Sequence, residues 1–393
     1  VNQFAGQWLL DPEVDFLNHG SFGACPRVVL EEQSRFRSRL EQEPVRFMMH
    51  ELEPALDVAR SAVARLVGAD PEDLAFVSNA TTGVNTVLAS FDFRPGDEVL
   101  VTDHGYGACT NAARYWTARA GASVTTVPVS VPVTDPEHVV QAVLAAVTPR
   151  TRLALVDHVT SATGLVLPVE RLVRELRARG VKSLVDGAHA PGMLLLDLRQ
   201  LGADYYAANL HKWCCTPKGS AILVAGPEQR ETLRPLVISH GAAQLRRDRS
   251  RFRLEFDYCG TTDPSAVLAA PRAIEFLSGL LPGGLPALMA HNRALAIQAR
   301  SRLLDVLGGP PICPESMLGS LATVLLPDAP QPDAFAGSPF PEPLYSELVK
   351  RRFQVFTLHW PERPRRVLRI TAQIYNEPAQ YERLATVLGE LVR

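Results

Sequence analysis

Residues 181–213, "VKSLVDGAHAPGMLLLDLRQLGADYYAANLHKW", decide the fold. "VKSLVDGA" and "ADYYAANL" are short apolar runs that close on polar residues. Asp186 and His189 follow the first; Asn209, His211 and Lys212 follow the second. Runs apolar along their length predict strands buried on both faces. Working outward, "DLAFVS", "GDEVLVTD", "ASVTTVPV", "TRLALVDHV" and "SAILVAG" read as further buried strands. Segments with apolar residues at helical spacing separate them, among them "ALDVARSAVARLVGA", "DPEHVVQAVLAAV" and "PVERLVRELRARG". The alternation predicts an α/β protein with a mostly parallel central sheet and helices on both faces. In such sheets ligands bind beyond the carboxyl ends of the strands, where these polar residues fall.

Past "GTTDPSAVLAAPRAIEFLSGL" the rhythm changes. "GSLATVLLP", "FQVFTLHW" and "RRVLRITAQIY" predict fewer strands, with helices near 344–352 and 378–392, and the proline-rich stretch 327–343 reads as a loop. The expected organisation is an N-terminal segment 1–20, a large domain 21–265, a connecting helix 266–279 and a smaller C-terminal α+β domain 280–393. A net charge of −2, with both signs mixed along the chain, argues against a nucleic-acid face. No apolar run approaches the roughly 20 residues of a membrane span, and "VNQFAGQWLL" lacks a signal-peptide layout. The six cysteines form no CxxC pair and two are adjacent, which suits reduced thiols in a cytoplasmic protein better than disulfides or zinc.

Of 40 basic residues only Lys182, Lys212, Lys218 and Lys350 are lysine. Lys212, directly after a histidine at a strand end, is therefore conspicuous. Desolvation and neighbouring cations lower a lysine's pKa and make it a nucleophile and a base, which arginine cannot become. Lys218, in "TPKGS", reads as a solvated or phosphate-facing turn lysine. A carboxylate at the end of a buried strand, as Asp186 is, needs a cationic or hydrogen-bonding partner. "SNATTG", residues 78–83, follows a strand and opens a helix, so Thr81, Thr82 and the local N–H groups suit a phosphate; it is neither a Walker loop nor a dinucleotide fingerprint. "TDHGYGA" puts His104 and Tyr106 after the next strand. An amine for an aldehyde, a carboxylate for a pyridine nitrogen, donors for a phosphate and a flat group for a ring are together what pyridoxal 5′-phosphate requires.

With these clusters in place, and with "FLNHGSFGACP", "HVTSATGLVLPV", "PESMLGSLATVLLP" and "LRITAQIYN", the chain resembles the class V aminotransferase family of fold type I pyridoxal-phosphate enzymes over nearly its whole length. Within that family it is most similar to the isopenicillin N epimerase-like branch. The resemblance implies that Lys212 forms the Schiff base with the cofactor, that Asp186 partners the pyridine nitrogen, and that His189 and Ser161 lie near the phenolic oxygen. It implies His104 as the stacking group, with Tyr106 as substitute, and Thr81, Thr82, Asn209 and His211 as the phosphate cradle. Thr261 or Thr262 of a partner subunit in a homodimer would complete that cradle. Arg369, helped by Asn18, would hold the carboxylate of an amino-acid substrate. The stretch "RRFQVFTLHWPERPRR" contains no cysteine, which argues against the persulfide chemistry of the family's cysteine desulfurases.

The expected reaction is epimerisation of an amino acid; β-elimination, as in a C–S lyase or cysteine desulfhydrase, and transamination are the alternatives. Epimerisation needs an acid on the face opposite Lys212, and Tyr106, His19 and His359 are the candidates. The arginine-rich stretch 246–253 is either a receptor for a second substrate carboxylate or a solvated face. A metal-dependent hydrolase using Asp186, His189, His211 and His104 is a competing reading that leaves Lys212 unexplained, and a non-catalytic scaffold leaves Lys212, Asp186 and Arg369 unexplained.

Overall fold

The computed structural model describes residues 2–244, 246–329 and 343–392. The seven apolar runs form the seven strands of one sheet: β1 (Leu74–Val77), β2 (Glu98–Thr102), β3 (Ser123–Val127), β4 (Thr151–Asp157), β5 (Lys182–Asp186), β6 (Tyr205–Asn209) and β7 (Ala221–Ala225). Their order is β1-β7-β6-β5-β4-β2-β3. β7 is antiparallel to both neighbours, and the other pairings are parallel. Six strands therefore point their carboxyl ends the same way, and the turns after them converge.

Both faces of the sheet's centre are covered, which explains why the central strands are apolar; β3, expected to be buried, is instead an edge strand whose Ser123 and Thr126 are exposed. Along β2, Leu100 joins one core with Val156, Leu172 and Val185, while Val99 and Val101 join the other with Val84, Leu155 and Leu184. Each fully buried aliphatic side chain contributes about 1.5–3 kcal/mol. Helix Leu52–Val67 ends at Gly68, whose left-handed backbone a side chain would strain.

A second sheet of β8 (Leu321–Leu326), β9 (Phe356–His359) and β10 (Arg366–Thr371) is antiparallel, in the order β9-β10-β8. It packs against helices Gly284–Leu307 and Pro378–Leu391. "FQVFTLHW" is divided rather than one strand. Phe353–Gln354 pairs in parallel with Asp15–Phe16, and only Phe356–His359 joins β10. That pairing, and Leu17 within the same core, dock the N-terminal segment on the second sheet. The expected proline-rich loop lies mostly outside the described residues. Among the described residues no helix is long and apolar enough to cross a membrane.

Candidate active site

A cavity of about 520 Å³ opens at the carboxyl ends of the large sheet. Of the residues the sequence singles out, Thr81, Thr82, Tyr106, Ser161, Asp186, His189, Asn209, His211 and Lys212 line it. A larger groove of about 760 Å³ lies elsewhere, beside the amino-terminal residue of β5. Two ion pairs lie across it, Lys182 with Asp204 at 2.8 Å and Arg199 with Asp70 at 3.4 Å.

Lys212 sits in the turn after β6. Burial, reinforced by the nearby Arg369 charge, lowers its pKa to about 8. Its Nζ lies 3.1 Å from His189 Nε2. The indole of Trp213 donates to His189 Nδ1 at 3.3 Å, so a neutral His189 carries its proton on Nε2 and presents it to the amine. Burial and the adjacent Lys212 hold His189 neutral, well below the usual imidazole range. The backbone of Lys212 is fixed from a distant part of the chain. Its carbonyl meets His19 Nε2 at 2.8 Å, while His19 Nδ1 accepts from Ala24 N at 3.3 Å and faces the Tyr375 hydroxyl at 2.8 Å.

Asp186, at the end of β5, is buried and accepts from Ala188 N at 3.0 Å and from the Cys109 thiol at 3.1 Å. Burial raises its pKa, opposed by those donors and by Lys212. Asp157, at the end of β4, is in register with Asp186, is equally buried and also lines the cavity. Burial and the Asp186 charge push Asp157 well above the carboxylate range, while the Tyr106 backbone N–H draws it down. The sequence reading missed Asp157 and Cys109. "LALVDHV" and "SLVDGA" carry the same Val-Asp ending, and that repetition was the available signal.

Helix Ala80–Ser90 points its amino end at the cavity. Asn79 Oδ1 accepts from Thr82 N and Asn209 Oδ1 accepts from Ala80 N, each at 2.8 Å. The N2 amide of Thr81 has no partner within the helix, and with the Thr81 hydroxyl and Asn209 Nδ2 it can receive an anion. His211 donates from Nδ1 to Ser220 O at 3.2 Å, and burial lowers its pKa to about 4.

Arg369 is 1% exposed. It donates to the Ser161 carbonyl, to Asn18 Oδ1 at 3.2 Å and to Ser21 Oγ at 2.9 Å, and stacks 4.4 Å from the Phe356 ring centroid. All these acceptors are neutral, and its Nε has no partner. Burial lowers its pKa to about 10. A buried cation with no counter-charge is costly unless something anionic completes it.

Several expected residues are not gathered. His104 does not reach the cavity: its Nδ1 meets Thr163 Oγ1 at 2.7 Å, its Nε2 meets Val129 O at 2.8 Å, and its ring packs 4.4 Å from Trp360. Tyr106, two residues on, faces the cavity instead. This also dismantles the four-residue metal set, which needed His104. His19 has both ring nitrogens engaged and is structural. His359 lies on β9 and does not line the cavity. Lys218 donates to Gly23 O at 3.0 Å, so it ties two turns together instead of facing a phosphate. Thr261 and Thr262 are exposed; Thr262 lines a neighbouring apolar cavity beside Ser78 and Thr82. Most arginines at 246–253 are already paired: Arg246 with Glu53 and Asp248, Arg249 with Glu53 and Asp57, Arg251 with Glu255, and Arg253 with Glu72 and Asp57, while Arg247 is exposed.

The sequence model of the family described as aminotransferase class-V matches residues 18–315. The chain is 36% identical to the isopenicillin N epimerase of Streptomyces clavuligerus over 98% of this chain and 97% of that protein. It is 32% identical to a putative L-cysteine desulfhydrase of Oryza sativa over 96% of this chain and 83% of that protein. Among solved structures, a cystine C–S lyase in complex with its product cysteine persulfide superposes with a TM-score of 0.83 at 22% identity, over 99% of both chains. That last likeness speaks to fold alone. The chain belongs to the class V aminotransferase family.

Proposed function

We propose that this protein is a pyridoxal 5′-phosphate-dependent enzyme that epimerises the α-carbon of an amino acid. One observation carries the reading: a buried guanidinium without a counter-charge, Arg369, stands directly behind the cavity wall at Ser21 and Ser161, although neither it nor Asn18 lines the cavity itself, and the cavity holds an amine with a pKa of about 8. These are a receptor for a carboxylate and a nucleophile for an aldehyde. Bound there, pyridoxal phosphate supplies that aldehyde and a ring that stabilises charge left by a departing α-proton. The donor set fits it. Asp186, which lacks a cation of its own, suits a protonated ring nitrogen; the amino end of Ala80–Ser90, with Thr81, Thr82, Asn209 and His211, suits the phosphate. His189 and Ser161 suit the phenolic oxygen, and Tyr106 takes the covering role expected of His104.

Arg369 and Asn18 hold the substrate carboxylate, and the neutral Lys212 amine removes the α-proton. Exposed Phe22, Leu236, Val237 and Ile238 near the cavity support a homodimer in which Thr261 or Thr262 of a second copy completes the phosphate cradle. Six free thiols accord with a cytoplasmic setting.

Similarity to isopenicillin N epimerases favours epimerisation, and similarity to L-cysteine desulfhydrases supports β-elimination as the second reading. The test is to incubate the cofactor-loaded enzyme with isopenicillin N and, separately, with L-cysteine. Accumulation of the epimer is expected. Pyruvate, sulfide and ammonia from cysteine without any epimer would overturn the reading, and a 2-oxo acid without ammonia would indicate transamination. Borohydride reduction should fix the cofactor to the peptide containing Lys212.

A further inference from the structure

A single base that returns the proton to the side it left regenerates the substrate. Inversion by two groups needs an acid on the far wall of the cavity. Six titratable side chains line the cavity among the described residues: Tyr106, Asp157, Asp186, His189, His211 and Lys212. Lys212, His211 and His189 come from the turns after β6 and β5, on one side. Asp157 and Asp186 are paired in register and buried between. Tyr106 comes from the turn after β2. In the sheet order, β6 and β2 are three strand positions apart. At roughly 4.8 Å per position, their turns stand about 14 Å apart across the β5 and β4 ends. A lysine and a tyrosine reaching inward from those two walls leave a slot suited to a flat ring between them.

We propose that Tyr106 is the second proton-transfer group of the reaction, delivering a proton to the substrate α-carbon on the side opposite Lys212. The inference rests on the epimerase reading and deepens it. Three features support the assignment. Tyr106 lines the cavity together with Ser21 and Ser161, the two residues to which Arg369 donates, so the phenol faces the same space as the group that receives the α-carboxylate. Burial and the neighbouring Cys109 and Asp186 raise its pKa, which keeps the proton in place to be given. Tyr106 is 45% exposed, so it can exchange with solvent between turnovers.

The step balances. The Lys212 amine takes the α-proton and becomes an ammonium, and the electron pair of the broken C–H bond forms the new C–H bond when the Tyr106 O–H gives up its proton. The enzyme is left with a phenolate and an ammonium. Water at the exposed phenol restores one, and the amine releases its proton to solvent. The reverse direction exchanges the two roles.

The test uses the cofactor-loaded enzyme, isopenicillin N and D₂O. In the wild type, the first epimer formed carries solvent deuterium while unreacted substrate keeps its proton. An epimer carrying the substrate's original proton overturns the proposal, because one base is then enough. Tyr106→Phe keeps the ring and loses the acid. Epimer formation should fall by about 10²-fold or more, and the recovered substrate should now gain deuterium, because Lys212 still removes the α-proton and returns a solvent-exchanged one to the same side. Retained epimerisation in Tyr106→Phe sinks the proposal but leaves the epimerase reading intact; no epimer from the wild type sinks both. Absorbance and affinity of the bound cofactor give an independent readout. Both should be unchanged in Tyr106→Phe, and a large change in either would make the hydroxyl a cofactor contact and overturn its role as acid. If Tyr106→Phe does not fold, the wild-type deuterium pattern can still overturn the proposal, since an epimer carrying the original proton excludes a second group.

Discussion

A guanidinium buried among neutral acceptors is a liability to the empty protein and an asset to binding. Replacing Arg369 with Gln should therefore raise KM for the amino acid roughly 10- to 100-fold, the worth of a charge-assisted hydrogen bond. The thermal midpoint of the cofactor-free protein should hold or rise, because the uncompensated charge has gone. A lower midpoint with unchanged KM would make Arg369 structural. Lys212 offers a second check. Its folded pKa is about 8 against an ordinary 10.5, so between those values the unfolded chain binds more protons. Relative to Lys212→Met, cofactor-free stability should thus rise with pH across that window, and cofactor capture should accelerate with a midpoint near 8. A capture midpoint near 10.5 would contradict the burial argument. Lys212 and Asp186 stood out in the sequence as a rare lysine and a carboxylate at the ends of apolar strands, whereas Arg369, one of many arginines, was singled out only through the family resemblance. Asp157 and Cys109 were not, since only the order of the strands brings β4 beside β5 and Cys109 against Asp186. His104 was put ahead of Tyr106, with the choice between them left open, because the course of a loop is not written in its residue types.

At the scale of an element, the short helix His19–Phe22 does more than its length suggests. Asn18 and Ser21 hold Arg369, and His19 holds the Lys212 carbonyl. Gly23, at φ +70°, closes the helix so tightly that a β-carbon there would collide with the His211 carbonyl. Gly23→Ala should weaken cofactor affinity and lower the thermal midpoint together. His19→Ala should cost about 3 kcal/mol by stranding buried partners, with denaturant unfolding as the measurement. The sequence reading split this stretch between an N-terminal segment ending at 20 and the large domain, and named Asn18 and His19 only as a carboxylate helper and a candidate acid. Its link to the lysine turn spans almost 200 positions, |i−j| = 193, and no local pattern announces such a contact.

For the molecule as a whole, the α/β class and the seven-strand sheet follow from periodicity, since burial on both faces forces apolar composition on the central strands, the edge strand Ser123–Val127 excepted. The division of 353–359 between two pairings does not, because it depends on where the chain's other end docks. Equilibrium sedimentation should give a dimer, and cofactor affinity should fall on dilution as copies separate; a monomer that retains full affinity would remove Thr261 and Thr262 from the cradle. Arg246→Ala should leave KM for a dicarboxylic amino acid unchanged, since that side chain is already paired with Glu53 and Asp248.

The indole that fixes the His189 tautomer has an optical consequence. Trp213 is 1% exposed and hydrogen-bonded to a residue in contact with the lysine amine. Its emission should be blue-shifted, and energy transfer to a bound chromophore should quench it. The protein thus carries its own fluorescent gauge of cofactor loading, readable without added substrate, and Trp213→Phe should abolish most of the signal change.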